Sequence, residues 1–143
     1  MVLRISLKQR EAISVDRITV GKLKLAYIIC ADRKIRYEKM RSRIVYIGTT
    51  KNGISRVAQS AASRSDKVLG LRGVGRFTVH IVTCTPRRNV KSWHKLERAL
   101  LLTFKEMFGQ VPTCNTHGKN TRWKGEEELF RKKRLRQVIE DLS

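Results

Sequence analysis

Acidic residues are scarce in this sequence: 12 aspartates and glutamates stand against 32 lysines and arginines, which makes the formal net charge +20. The excess does not come from one end of the chain, because residues 22–120 alone carry 21 basic and 5 acidic side chains. A flexible basic tail is thereby excluded as its source, and a folded surface must present the charge. Self-repulsion at this charge disfavours a compact state unless a polyanion binds, so the composition favours a nucleic acid as partner.

Cysteines are also few, and Cys30, Cys84 and Cys114 lie far apart in the sequence. They lack the paired spacing of a disulfide framework, so we expect reduced thiols and a cytoplasmic protein. A zinc site is disfavoured for a similar reason, since zinc motifs usually combine two close ligand pairs. Cys114 and His117 form one such pair, and Cys84 with His94 would have to complete the site without the usual spacing.

Long apolar runs are absent as well. No stretch approaches the roughly 20 apolar residues of a membrane-spanning helix, and residues 1–21 lack the apolar core and cleavage site of a secretory signal. We therefore expect a chain that neither crosses a membrane nor is secreted. With 143 residues, of which 41% are hydrophobic, the sequence predicts one domain around one core. Weak alternation at the start predicts that residues 1–21 form an N-terminal arm or a short edge strand.

Two apolar segments, each with one tyrosine, predict a β-hairpin. Residues 22–31 contain Tyr27, and residues 43–48 contain Tyr46. A hairpin brings the two phenols together on one sheet, where rigid strands hold them. Residues 32–42 between the strands are predicted to form a charged, extended hairpin tip. Its length is tolerable because lengthening a surface loop adds little entropic cost.

Four further segments complete the predicted fold. Residues 54–63 have apolar positions at helical spacing, with Asn52 as a candidate cap. Residues 77–84 alternate between apolar and polar side chains and predict a third strand. Residues 92–108 and 126–142 show helical patterns, the second of them strongly charged.

Glu97 lies in the second turn of a predicted helix that is mostly apolar and must be largely buried. Asp66 is the only other acidic side chain within residues 40–104. A carboxylate on a buried helix, in a sequence region that is otherwise basic, favours the interpretation that Glu97 binds a divalent metal ion. An ion pair with Arg56 or Lys95 is the structural alternative.

In this order, these residues resemble the motifs of the GIY-YIG endonuclease family. The first half-motif appears as Ala26-Tyr27-Ile28 and the second as Tyr46-Ile47-Gly48. Arg56 stands at the position of the family's phosphate-binding arginine. The segment Leu96-Glu97-Arg98-Ala99 resembles the helix whose glutamate holds a divalent metal, and Pro112-Thr-Cys-Asn115 resembles the closing loop with its asparagine.

The resemblance covers about residues 22–120 and implies an α/β (α+β) fold. Its core would be a small three-stranded, mostly antiparallel sheet flanked by helices. Short extensions, residues 1–21 and 121–143, would precede and follow this nuclease core, the second as a charged helix packed on it.

The sequence departs from the family pattern in three places. Ala26 replaces a glycine, and seventeen residues separate the two half-motifs. Ser60 stands where many members carry a histidine or tyrosine that helps to bind the phosphate. His80 on the third predicted strand could face the site and replace that side chain, although a packing or surface histidine is the simpler interpretation.

The resemblance implies metal-dependent hydrolysis of phosphodiester bonds in DNA, with Mg²⁺ (or Mn²⁺) held by Glu97. A fixed arginine and a cation at the phosphate stabilise the negative charge of the transition state. A tyrosine with the ordinary pKa near 10 is a poor base at neutral pH. We expect Lys51, Arg56 and the metal to lower the pKa of Tyr46, which then takes a proton from the attacking water while Tyr27 orients the reactants. The alternative is a water activated by the metal, with both tyrosines as hydrogen-bonding groups.

A set of basic and amide side chains is expected to contact the nucleic acid: Arg43, Lys51, Arg56, Arg87, Arg88 and Asn115. For Asn115, a purely structural role is an equal alternative. We expect a monomer or homodimer without a small-molecule cofactor, acting as a stand-alone restriction-type, repair or mobile-element enzyme. The composition fits a non-catalytic nucleic-acid-binding module equally well, but the carboxylate of Glu97 would weaken pure phosphate binding and therefore favours the enzyme.

Overall fold

A computed structural model describes residues 1–12, 14 and 23–143. The elements are β1 (Leu25–Arg36), β2 (Arg41–Thr50), α1 (Ile54–Leu69), β3 (Phe77–Val82), α2 (Ser92–Phe108), α3 (Glu126–Leu129) and α4 (Lys132–Leu142). The three strands form one antiparallel sheet in the order β2-β1-β3. The predicted α+β fold with a small antiparallel sheet is thus confirmed. Among the described helices, none combines the length and the apolar character needed to cross a membrane.

The central strand β1 divides the core into two layers. Its residues 25–31 are all buried, because helices cover both faces of the sheet. Ala26 and Ile28 pack in the layer formed with α2 and α4. Tyr27 and Ile29 point to the other face and pack in the layer that contains Val57 of α1. The alternation of a strand therefore assigns Tyr27 to the α1 face of the sheet.

Helix α1 is longer than the sequence predicted. It continues past Ser63 to Leu69 because Val68, fully buried, extends the apolar stripe that faces the sheet. The predicted cap at Asn52 is wrong: the N-cap is Gly53, without a side-chain hydrogen bond to the helix. Gly53 has φ +79, a left-handed conformation that glycine adopts without steric cost.

The tip of the β1–β2 hairpin is charged and extended, as the sequence predicted, with one buried tyrosine at its turn. Strand pairing continues to Arg36 and Arg41, and Tyr37 at the turn is buried. Its hydroxyl donates to the carbonyl of Ile44 at 2.6 Å, and its ring meets the edge of Phe104 with centroids 5.0 Å apart. Tyr37 therefore anchors the exposed, charged hairpin tip on α2.

The predicted C-terminal helix over residues 126–142 is interrupted. Phe130 has an extended backbone and separates α3 from α4. Glu126, with no exposed surface, accepts a hydrogen bond from Arg98 Nε on α2 at 2.7 Å, and this contact fastens α3 to the core. Leu135 and Ile139 pack α4 against the same layer.

The N-terminal segment was predicted to be an arm or an edge strand. Residues 1–12 form neither helix nor strand, and they are exposed. Residues 13 and 15–21, which belong to the same predicted segment, lie outside the described residues.

Candidate active site

Two tyrosines from neighbouring strands lie side by side on the α1 face of the sheet. The ring centroids of Tyr27 and Tyr46 are 5.9 Å apart with an interplanar angle of 37°. Gly48 lies opposite Tyr27 in the strand register. A Cβ atom added at Gly48 would lie 2.6 Å from Cε1 of Tyr46 and 2.8 Å from the hydroxyl of Tyr27. The glycine of the second half-motif is therefore required by the close approach of the two phenols.

Helix α1 adds a serine and an arginine to this pair. The hydroxyls of Tyr27 and Ser60 are hydrogen-bonded at 2.5 Å. Arg64 donates from Nη1 to Oγ of Ser60 at 2.5 Å, and its guanidinium carbon lies 4.1 Å from the centre of the Tyr46 ring. One helical turn separates Ser60 from Arg64, so both reach the tyrosines from the same side of α1.

Arg56, the arginine predicted from the family pattern, is not the one that contacts the tyrosines. It is exposed and donates from Nη1 to Oε1 of Gln59 at 3.1 Å. Arg64 lies eight residues further along α1, about 12 Å along the helix axis. The predicted helix ended at Ser63 and did not include Arg64, although the spacing of Ser60 and Arg64 on a longer helix was the available signal.

Without a metal ion, the pKa of Tyr46 is raised above its ordinary value, and the expected lowering by Lys51 and Arg56 does not occur. Burial is the main cause, the neighbouring Tyr27 and the carboxylate of Glu97 act in the same direction, and Arg64 opposes them only in part. Lys51 is exposed at the turn after β2 and, like Arg56, contributes no lowering. In the protein alone, Tyr46 is therefore a protonated phenol at neutral pH.

Glu97 lies on α2, near enough to Tyr46 for its charge to help raise the pKa of that phenol. Its side chain retains 19% of its exposure, and Oε2 lies 3.5 Å from Nδ1 of His94, one turn earlier. The predicted ion-pair alternatives with Arg56 and Lys95 do not form; Lys95 pairs with Glu126 instead. Burial raises the pKa of Glu97 to about 7, and the nearby charge of Arg98 offsets this only in part.

The donor set at Glu97 fits a hydrated divalent cation. A partly buried carboxylate with a raised pKa is stabilised in its charged form by a nearby cation. Mg²⁺ keeps several waters and often takes only one or two protein carboxylates. Among the residues that the structure describes, no three histidine, cysteine or acidic side chains are close enough to share an ion. The side chains present thus fit a metal held by Glu97 and water.

Asn115 is occupied by the backbone of β2. Its Oδ1 accepts from the amide of Ile47 at 3.0 Å, and its Nδ2 donates to the carbonyl of Ile47 at 2.9 Å. The backbone amide of Cys114 donates to the carbonyl of Val45 on the same strand, β2. Of the two roles considered for Asn115, this geometry favours the structural one, because it fixes the strand that carries Tyr46.

His80 does not take the place of the phosphate-binding histidine or tyrosine for which Ser60 is substituted. It lies opposite Ile28 in the register, on the α2 face of the sheet, whereas Tyr27 lies opposite Ile81 on the α1 face. It is exposed and hydrogen-bonds Thr78 on its own strand at 3.0 Å. Strand alternation therefore separates His80 from the tyrosines.

The remaining basic residues of the prediction are exposed but lie on different elements. Arg43 is on β2 beside the buried Cys30, whose pKa burial raises to about 12 while Arg43 opposes the shift. Cys30 faces the α2 and α4 layer. Arg87 and Arg88 lie in the loop between β3 and α2. The structure brings none of the three into the cluster of tyrosines, Ser60 and Arg64.

Comparisons of the chain with protein-family models, with curated proteins and with solved structures found no match.

Proposed function

We propose that this protein is a metal-dependent endonuclease of the GIY-YIG type, which hydrolyses phosphodiester bonds in DNA. One observation carries the proposal: a guanidinium and a partly buried carboxylate lie near the same phenol of a tyrosine pair. Arg64 lies 4.1 Å from the Tyr46 ring centre, and Glu97 is close enough to raise the pKa of the same tyrosine. An arginine and a carboxylate near one phenol suit the stabilisation of a phosphoryl transition state, once the carboxylate holds a metal ion.

The charge of Arg64 is available to a phosphate. Its partner Ser60 is neutral, and within the described residues no carboxylate forms an ion pair with it. A guanidinium presents a planar fork of donors that matches phosphate oxygens. The net charge of +20 supports a polyanionic substrate around this site.

Glu97 would hold the metal ion. When bound there, the ion supplies charge neutralisation at the phosphate and acidifies a coordinated water. Arg64 would bind and orient the phosphate, and Tyr27, fixed by Ser60, would limit how the substrate can lie against the sheet. With its raised pKa, Tyr46 keeps its proton on the phenol oxygen and is suited to donate a hydrogen bond to a phosphate oxygen. For Tyr46 we therefore infer the hydrogen-bonding role, which is the second of the two mechanisms considered above.

Incubation of the purified protein with supercoiled plasmid tests the proposal. We expect nicked or linear product with Mg²⁺ or Mn²⁺ and none with chelator. Glu97→Gln, purified in parallel, should bind the plasmid without cutting it, which excludes a contaminating nuclease. If the wild-type protein binds but never cuts with either metal, the non-catalytic binding module replaces the enzyme as the function.

A further inference from the structure

Trp93 lies one helical turn before Glu97 on α2. Residues four apart on a helix share one face, and their positions differ by about 6 Å along the axis. Helical side chains tilt toward the N-terminus, so the Glu97 carboxylate extends toward the turn that carries Trp93. The carbonyl of Trp93 also accepts a hydrogen bond from Thr49, the residue after Gly48, at 3.4 Å. Trp93 therefore lies one turn from Glu97 and next to the end of β2 that carries Gly48.

The indole of Trp93 is partly exposed and lies in a basic setting. Nζ of Lys24 lies over the ring, 4.5 Å from its centre. Among the described residues the indole N–H has no hydrogen-bond acceptor. The other tryptophan differs, because Trp123 donates its N–H to Glu106 at 2.6 Å and packs against the core. Trp93 thus keeps part of its ring surface for a ligand.

We propose that Trp93 is a stacking platform for an unpaired nucleobase next to the cleaved phosphodiester. The preferred substrate class is then single-stranded or branched nucleic acid with an unstacked base. The inference rests on the proposed nuclease function and specifies its substrate.

A base inside a duplex is stacked between its neighbours, so an indole can take it only after it has been splayed out. An unpaired base avoids that cost, and stacking on an aromatic side chain then contributes to affinity at any sequence. The separation of about 6 Å between the positions of Trp93 and Glu97 corresponds to one or two nucleotide steps of about 3.4 Å. Lys24 has a flexible stem, and its ammonium can leave the ring for an adjacent phosphate.

Two single-tryptophan proteins test this inference, since the chain contains only two tryptophans. Trp123→Phe reports on Trp93 alone, and Trp93→Phe reports on Trp123 alone. Each is titrated with a short single-stranded oligonucleotide and with the corresponding blunt duplex, in chelator so that nothing is cut. We expect the fluorescence of Trp93 to be quenched by the single strand more strongly than by the duplex at saturation, and that of Trp123 to change little. We also expect Trp93→Ala to weaken single-strand binding by on the order of tenfold or more and to leave duplex binding nearly unchanged.

The outcomes separate this inference from the proposed function. Equal quenching by duplex and single strand, or single-strand binding without quenching of Trp93, overturns the stacking role even if the enzyme cuts DNA. Quenching of Trp93 without any metal-dependent cleavage supports the platform and overturns the nuclease. A protein that binds neither oligonucleotide overturns both. If Trp93→Ala unfolds, Trp93→Leu repeats the affinity measurement with an apolar, non-aromatic side chain.

Discussion

Arg64 lies over the ring of Tyr46, with the guanidinium carbon 4.1 Å from the ring centre. This contact joins α1 to the sheet and places a cationic side chain beside a phenol. Among the described residues, no carboxylate forms an ion pair with this cation. The contact also makes Arg64, and not Arg56, the arginine whose loss should affect cleavage.

We expect Arg64→Lys to reduce plasmid nicking by about 100-fold, because lysine loses the planar fork of donors and the stacked guanidinium. Arg56→Lys, at an exposed position on the same helix, is the matched control and should change the rate only slightly. Single-turnover nicking rates with excess protein measure both. A larger loss for Arg56→Lys than for Arg64→Lys would return the phosphate-binding role to Arg56.

Tyr46→Phe should lower the cleavage rate by about 100-fold through the loss of one hydrogen-bond donor. Because burial raises the pKa of Tyr46, its phenol stays protonated around neutral pH, and the pH–rate profile of the variant should keep the shape of the wild-type profile. Rates measured from pH 6 to 9 check this. A rising limb that is present in the wild type and absent in Tyr46→Phe would instead identify Tyr46 as the general base.

Gly48→Ala should destabilise the protein by about 1–3 kcal/mol, since the new methyl group would overlap both tyrosine rings. Gly75→Ala is the control: its added Cβ would meet only Asp32, at an ordinary distance of 3.7 Å. Urea unfolding measures both changes. Equal stabilities of the two variants would show that the phenols separate without cost.

Glu97 should make folding less favourable as the pH rises. Burial raises its pKa from 4.5 to about 7, so the folded protein binds more protons than the unfolded chain between these values. The stability contribution of the neutral form is complete below about pH 4.5 and is lost as the pH rises through 7, by at most about 3 kcal/mol. Urea unfolding at pH 5 and 8 should show this loss in the wild type and not in Glu97→Gln. At pH 8, added Mg²⁺ should restore stability to the wild type only.

Glu126 should have the opposite pH dependence. Burial by itself would raise its pKa, but hydrogen bonds from Arg98 and from backbone amides lower it to about 2. Its stabilising contribution is present above about pH 4.5 and disappears as the pH falls toward 2. Glu126→Gln should cost about 3 kcal/mol at pH 7 because it removes the buried carboxylate charge that pairs with Arg98 and Lys95. Glu127→Gln, at the exposed neighbouring position, should cost almost nothing in the same unfolding measurement.

The sequence by itself determined the antiparallel hairpin with its two tyrosines, the third strand and the buried helix that carries Glu97. These features depend on local periodicity, which is visible in the chain. Only the tertiary structure decided that Arg64 meets Tyr46, because this depends on how far α1 continues and on its packing against the sheet. The direction of the pKa shift of Tyr46 was decided in the same way, since it sums the burial and charges contributed by β1, α1 and α2. These contributions to the pKa come from elements that are distant in sequence, so no local sequence pattern predicts their combined effect.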